Sequence, residues 1–181
     1  MPTLVQKLTD PTVMLASDHA YVKQVMQKCL DTNSPTGRRL LVQEICDNLT
    51  IHATLEEELF YPALQRFGGQ EGEEFVREAL EEHQEIKRLM TDLEEEDATR
   101  PHFRTRLKTL QERVLNHAQK EEEMFPLAEQ TLPIGELARQ MDMRRMQLMA
   151  TVLPPSGLAI MALVCIGLGA LLFFTLRKPD R

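Results

Sequence analysis

Along the first 132 positions apolar residues recur at alternating intervals of three and four, the spacing that keeps side chains on one stripe of a helix. The first stripe runs through Leu15, His19, Val22, Met26 and Cys29, and the second through Leu41, Ile45, Asn48, His52, Leu55 and Leu59. The third takes in Val76, Ala79, His83, Ile86, Met90 and Leu93, and the fourth Phe103, Leu107, Leu110, Val114, His117, Glu121 and Met124. Breakers separate the stripes at Asn33-Ser34-Pro35-Thr36-Gly37, at Gly68-Gly69 and at Ala98-Thr99-Arg100-Pro101. Asp10, Ser34 and Thr99, each shortly ahead of a proline, are the expected helix starts. The pattern predicts four long helices joined by short loops.

The two halves of this region repeat one another. His52-Ala53-x-x-Glu56-Glu57-Glu58-x-Phe60 recurs as His117-Ala118-x-x-Glu121-Glu122-Glu123-x-Phe125, an offset of 65. His19-x-x-Val22-Lys23-x-Val25-Met26 recurs as His83-x-x-Ile86-Lys87-x-Leu89-Met90, an offset of 64. A helical hairpin written twice predicts an all-α, antiparallel up-down four-helix bundle with approximate two-fold symmetry. Pro62 and Pro126 follow the two His-x-x-x-Glu units and are expected to kink or end those helices.

Positions four apart lie on one helix face, so His52 with Glu56 and His117 with Glu121 each make a two-armed clamp. Counting from the loops at about 1.5 Å per residue puts His19, His52, His83 and His117 level to within about 5 Å. A single histidine on an apolar stripe is ordinarily a hydrogen-bonded core residue. Four at one height, with two carboxylates, would leave many buried polar atoms unpaired at about 1–3 kcal/mol each unless they bind something. His19, His52, Glu56, His83, His117 and Glu121 are therefore candidate metal ligands. Six donors, two of them able to bridge, suit two octahedral ions better than one tetrahedral zinc. Two non-haem iron ions are favoured, with manganese or a mixed pair behind them. No nucleophile, general acid or substrate pocket can be read from the chain, so no catalytic residue is assigned.

The ordered set His, His-x-x-x-Glu, His, His-x-x-x-Glu, with its Phe-Tyr-Pro and Phe-Pro followers, resembles the hemerythrin-like (HHE cation-binding) domains over about Asp10 to Leu132. The resemblance implies a four-helix bundle around a di-iron centre with carboxylate bridges from Glu56 and Glu121. Members of that family carry or sense O2, respond to iron or nitric oxide, or process peroxide. Oxygen carriers have a fifth histidine four residues after the third, where this chain has Lys87, and an aspartate five residues after the last histidine, where it has Glu122. The expected function is binding or sensing of a diatomic ligand (O2 or NO), or of iron or redox state. An oxidoreductase acting on peroxide or NO, or an iron store or donor, stands as the alternative, so whether the chain is an enzyme stays open.

Lys87 is expected to run its stem over apolar surface to water, and Glu57, Glu58, Glu122 and Glu123 to be solvated, with support of the ligands, or substitution for them, as the alternative for Glu57 or Glu122. The stretch around Met141, Met143, Met146 and Met149 predicts an amphipathic helix.

Composition agrees with helix: glycine numbers only 8 and aromatics make up 5% of the chain. The first 150 residues carry 18 Lys and Arg against 27 Asp and Glu, a net charge of −9, which disfavours nucleic-acid partners. Three scattered cysteines form no disulfide framework and agree with a reducing compartment. Gly157 to Leu176 is uncharged throughout and, at about 1.5 Å per residue, matches the roughly 30 Å apolar thickness of a bilayer, which predicts one C-terminal transmembrane helix. The expected organisation is a bundle over 1–132, an amphipathic linker helix over 133–155, a membrane span over 156–177 and a polar tail over 178–181. Without a signal-type N-terminus, the domain is expected to face the cytoplasm from a single-pass membrane anchor. No protein partner is indicated.

Overall fold

The computed structural model describes residues 10–152, which are helical apart from short connections. The Asp10 carboxylate accepts the Thr12 N–H at 3.0 Å, and Pro11 opens α1 (Pro11–Asp31). Ser34 does the same for Gly37 at 3.1 Å, and Pro35 opens α2 (Pro35–Leu55). Both caps satisfy a backbone donor that the first helical turn cannot. The third start differs from expectation: Arg100, not Thr99, is the N-cap of the helix opened by Pro101. Thr99 instead gives its N–H to Asp97.

The second long segment is not uniform. After Leu55 it passes through a π-helical turn, Glu56–Phe60, before resuming as α3 (Tyr61–Phe67). Gly68 and Gly69 then reverse the chain. Gly69 has φ 64°, a left-handed conformation that glycine adopts without a steric penalty. A β-carbon on Gly68 would lie 2.6 Å from the Leu64 carbonyl oxygen. α4 (Gly69–Glu95), α5 (Pro101–Thr131) and α6 (Ile134–Val152) complete the described chain.

Among the described residues, 10–144 form one compact unit. Within it α1 packs on α2 and α5, while α4 packs on α5 and on the α2–α3 segment, closing a ring of four antiparallel helices. The stripes face inward almost as expected: Leu15, Met26, Ile45, Val76, Leu107 and Leu110 are fully buried. A large apolar cluster, including Met26, Ile45, Leu93 and Phe103, fills the bundle on one side of the histidines. On the other side Phe60, Tyr61, Leu64 and Ala128 are buried. Leu137, Ala138 and Met141 bury one face of the part of α6 in this unit, where Met143 remains exposed.

The π-turn explains the one place where the stripe changes phase. Leu59 is only half-buried, whereas Phe60 and Tyr61 are fully buried. The repeat accounts for the turn: Phe60 and Phe125 correspond at an offset of 65, but Pro62 and Pro126 at 64. The first half therefore holds one extra residue, Tyr61, between its phenylalanine and its proline. Pro62 cannot donate a backbone hydrogen bond, and the Tyr61 N–H reaches back five residues to Glu56 O, absorbing the insertion as one wide turn. α5, lacking the insertion, stays α-helical through Pro126 to Thr131. Neither proline ends its segment, so of the two outcomes expected from sequence, a kink or an end, the end is not found.

The localisation to a membrane as a single-pass anchored protein is corrected. Among the described residues no helix is long and apolar enough to cross a membrane. α6, the last described helix, carries Glu136, Arg139, Asp142, Arg144 and Arg145 and so interrupts any apolar run. The 157–176 stretch on which that expectation rested lies outside the described residues.

Candidate metal centre

All six predicted ligands are buried: Glu56 and Glu121 completely, and the four histidines with at most 8% of their surface exposed. α1 contributes His19, α2 His52, the first position of the π-turn Glu56, α4 His83, and α5 both His117 and Glu121. Two groups of donors emerge, each with ligand atoms within 4.8 Å of one another: His19, His52, Glu56 and Glu121 in one, and Glu56, His83 and His117 in the other. Glu56 belongs to both. Its Oε1 lies 3.0 Å from His52 Nε2 and its Oε2 3.3 Å from His83 Nε2. Glu121 Oε2 lies 3.2 Å from His19 Nε2.

The outer nitrogen of every imidazole is engaged. His19 Nδ1 donates to Glu122 at 3.0 Å, His52 to Asp18 at 3.3 Å, His83 to Glu57 at 2.7 Å and His117 to Glu82 at 2.9 Å. A carboxylate only accepts, so Nδ1 bears a proton and each ring in its neutral form would present an Nε2 lone pair to the interior. There the lone pairs meet. His19 Nε2 stands 3.1 Å from His52 Nε2, and His83 Nε2 stands 3.1 Å from His117 Nε2. None of the four oxygens of Glu56 and Glu121 has a hydrogen-bond partner of good geometry, and all are buried. Converging lone pairs and orphaned carboxylate oxygens are what a cation would resolve, so this donor set fits a metal.

Without a cation, protons must fill the same role. Burial pushes His52 down, but Glu56, Asp18 and Glu121 outweigh it and raise the imidazole to about 10. Burial and the neighbouring Glu56 push Glu121 well above the ordinary carboxylate range. Burial also works against ionised Glu56, yet His52 and His83 hold it well below that range. The layer thus tolerates one carboxylate charge and sequesters protons to hold it, protons that metal binding would release.

The outer carboxylates are themselves anchored on one side. Lys87 Nζ lies 2.7 Å from both oxygens of Glu57, and Lys120 pairs with Glu82. The hydrogen bond from His117, with Lys120 behind it, holds Glu82 at about 2. Tyr61, carried inward by the π-turn, places its hydroxyl 3.3 Å from His83 Nε2 and 3.4 Å from His117 Nε2. Its burial, followed by the nearby Glu56 and Glu121 charges, raises the phenol well above its usual range.

Asp18, Glu82 and Tyr61 were not among the residues singled out by spacing, although the sequence holds a trace of each. Acidic residues precede His19 and His83 alike, and Phe60-Tyr61-Pro62 is one residue longer than Phe125-Pro126.

Beside the histidine layer, on the side of the large apolar cluster, lies a cavity of about 30 Å³. All four histidines reach its wall, together with apolar side chains such as Val22, Leu49, Ile86 and Val114. Space of this order holds one or two waters or a molecule of two to three heavy atoms.

Residues 10–128 match the family model described as the hemerythrin HHE cation binding domain. A protein of Nostoc sp. described as a DNA nickase is 30% identical over 109 residues, which cover 60% of this chain. The chain spans only about 30% of the length of that relative. A crystal structure of a hemerythrin HHE cation binding domain-containing protein from Mycobacterium kansasii is similar in fold, with a TM-score of 0.66 at 23% identity, over 78% of this chain and 88% of the other.

Proposed function

Because the chain belongs to the hemerythrin HHE cation-binding family, we propose that it is a non-haem di-iron protein that binds or senses a small ligand such as O2 or NO. The observation that carries this reading is the pairing of imidazole lone pairs at 3.1 Å against hydrogen-bond-orphaned carboxylates. His19, His52, Glu56 and Glu121 would hold one ion, and Glu56, His83 and His117 the other, with Glu56 shared. Borderline nitrogen donors mixed with carboxylates suit iron, with manganese or a mixed pair as the nearest substitutes. Bound iron would supply an open coordination position and a one-electron change of oxidation state.

The chain's own residues do the rest. Asp18, Glu57, Glu82 and Glu122 fix the imidazole tautomers and orient the rings. The cavity has room for molecules of two or three heavy atoms. Tyr61 brings a phenol hydroxyl to the His83–His117 pair, the group with fewer metal-ligating side chains.

Metal content per chain with an optical spectrum in air tests the proposal. Two irons per chain and a spectrum that changes when the reduced protein meets O2 or NO are the expected results. A purified chain without metal, which also takes up none when ferrous iron is added anaerobically, refutes it. Peroxide also fits the cavity, so sustained peroxide turnover that disappears in His52→Ala would make the chain an oxidoreductase instead.

A further inference from the structure

We propose that α6 is the readout of the metal centre: its docking against the π-turn tightens when the centre fills and loosens when it empties. The inference rests on the metal reading above and adds the element through which that site would signal.

The π-turn is where the two are joined. It carries three consecutive carboxylates, and each is fastened to a different part of the molecule. Glu56 is buried, with its oxygens 3.0 Å from His52 Nε2 and 3.3 Å from His83 Nε2, and belongs to both donor groups. Glu57 accepts the His83 Nδ1–H from α4 at 2.7 Å. Glu58, part exposed, accepts two hydrogen bonds from the Arg144 guanidinium of α6, from Nε to Oε2 at 2.6 Å and from Nη2 to Oε1 at 2.9 Å. The shared candidate ligand and the anchor of α6 are thus two residues apart on one turn.

Apolar packing backs the ion pair. Leu137, Ala138 and Met141 of α6 are buried, and Leu137 lines a groove with Leu59, Pro62 and Ala63 of the π-turn and α3. In the second half Glu123, the counterpart of Glu58 in the repeat, instead accepts from Gln119 of its own helix at 3.1 Å, and that helix is regular. The link to α6 therefore sits on the half whose turn is widened.

A π-turn is rare as a backbone structure and concentrates at functional sites, where its surroundings hold it. With Glu56 bound to a cation, the inner side of the turn is fixed and Glu58 meets Arg144 in one geometry. With Glu56 released from that hold, more arrangements of the turn open, and the two-pronged pair costs more entropy to form. An exposed pair of this kind is worth little by itself, so the docking of α6 is shallow enough for the turn to bias it. The coupling is reciprocal: the factor by which metal favours docking is the factor by which docking favours metal.

The test uses the full chain with ferrous iron added anaerobically, read by hydrogen exchange of the amides of residues 137–144 and by competition with a chelator. Iron is expected to slow exchange over 137–144 by about 5-fold or more, the low end of ordinary coupling. Arg144→Glu, which sets a carboxylate against Glu58, is expected to lower iron affinity by about 5- to 10-fold although it adds negative charge to a cation-binding protein. Met141→Glu, which removes the apolar anchor, should lower it at least as far. Combining Arg144→Glu with Glu58→Arg restores the pair with its charges exchanged and should recover most of the loss. Exchange over 137–144 that iron leaves unchanged while α1 and α4 gain protection overturns the inference and leaves the metal reading intact. So does iron affinity in Arg144→Glu that equals or exceeds wild type, or a double variant no better than Arg144→Glu alone. A wild-type chain that takes up no iron defeats the metal reading itself.

Discussion

Glu57 accepts the Nδ1–H of His83 at 2.7 Å across the bundle, although the two residues belong to different hairpins. Glu122 of the second hairpin returns the relationship by holding His19 of the first at 3.0 Å. Asp18 and Glu82, by contrast, hold His52 and His117 within their own hairpins. Two imidazoles are thus oriented locally and two by the opposite half, so the site is complete only when both hairpins are docked.

Removing an orienting carboxylate should weaken metal binding without unfolding the chain. Asp18→Ala is expected to lower affinity for ferrous iron by about 10- to 100-fold, the usual cost of losing the partner of a ligating imidazole. Competition with a chelator of known strength measures it. An unchanged affinity would show that His52 needs no such support.

Glu56 and Glu121 should differ in reach, because only Glu56 belongs to both donor groups. Glu56→Ala is expected to reduce binding at both positions and leave less than one metal per chain. Glu121→Ala should spare the His83–His117 group and leave about one. Metal analysis after desalting separates the two variants, and equal losses would contradict the sharing of Glu56.

Deleting Tyr61 removes the residue by which the first half exceeds the second. The π-turn should then close to a regular α-helix, as in α5, and the hydroxyl facing His83 and His117 is lost. The milder Tyr61→Phe is expected to cost about 0.5–1.5 kcal/mol of stability, the net worth of one hydrogen bond. Both variants should weaken the second metal equivalent more than the first in a titration. A uniform loss of both would argue against a local role for the phenol.

Stability of the metal-free chain should pass through a maximum at mildly acidic pH. His52 stands at about 10 in the folded protein against an ordinary 6.5, so its contribution is full below 6.5 and lost as pH rises through 10. Glu82 behaves oppositely: held at about 2 against an ordinary 4.5, it contributes above 4.5 and is lost as pH falls through 2. Thermal midpoints measured in chelator from pH 2 to 10 should therefore peak between about 4.5 and 6.5. A midpoint climbing steadily above pH 7 would contradict the His52 assignment. Adding metal should abolish the alkaline decline, because a cation then takes the place of the proton.

The gathering of the six candidate donors was legible because a helix repeats regularly: His52 and Glu56 must share a face, and a hairpin written twice must bring its second copy to the same height. Leu59 shows where that logic fails. Periodicity assumes a constant turn, and the insertion at Tyr61 widens one, so Phe60 and Tyr61 turn inward instead. Asp18 and Glu82 escaped for another reason. Each lies beside its own histidine in sequence but serves a histidine on the neighbouring helix, a pairing that only the packed bundle defines. The membrane expectation came from composition alone, and no described helix supports it.

The two sides of the histidine layer are built differently. Toward the large apolar cluster lies the cavity, whereas on the other side Phe60 and Phe125 meet edge to face at 6.3 Å beside the buried Tyr61 and Leu64. The centre is accordingly polarised: a small guest in the cavity lies against the histidine edges, while aromatic and aliphatic packing backs the opposite side. With about 30 Å³ to share, a guest of two or three heavy atoms lodged there leaves no room for a second of like size.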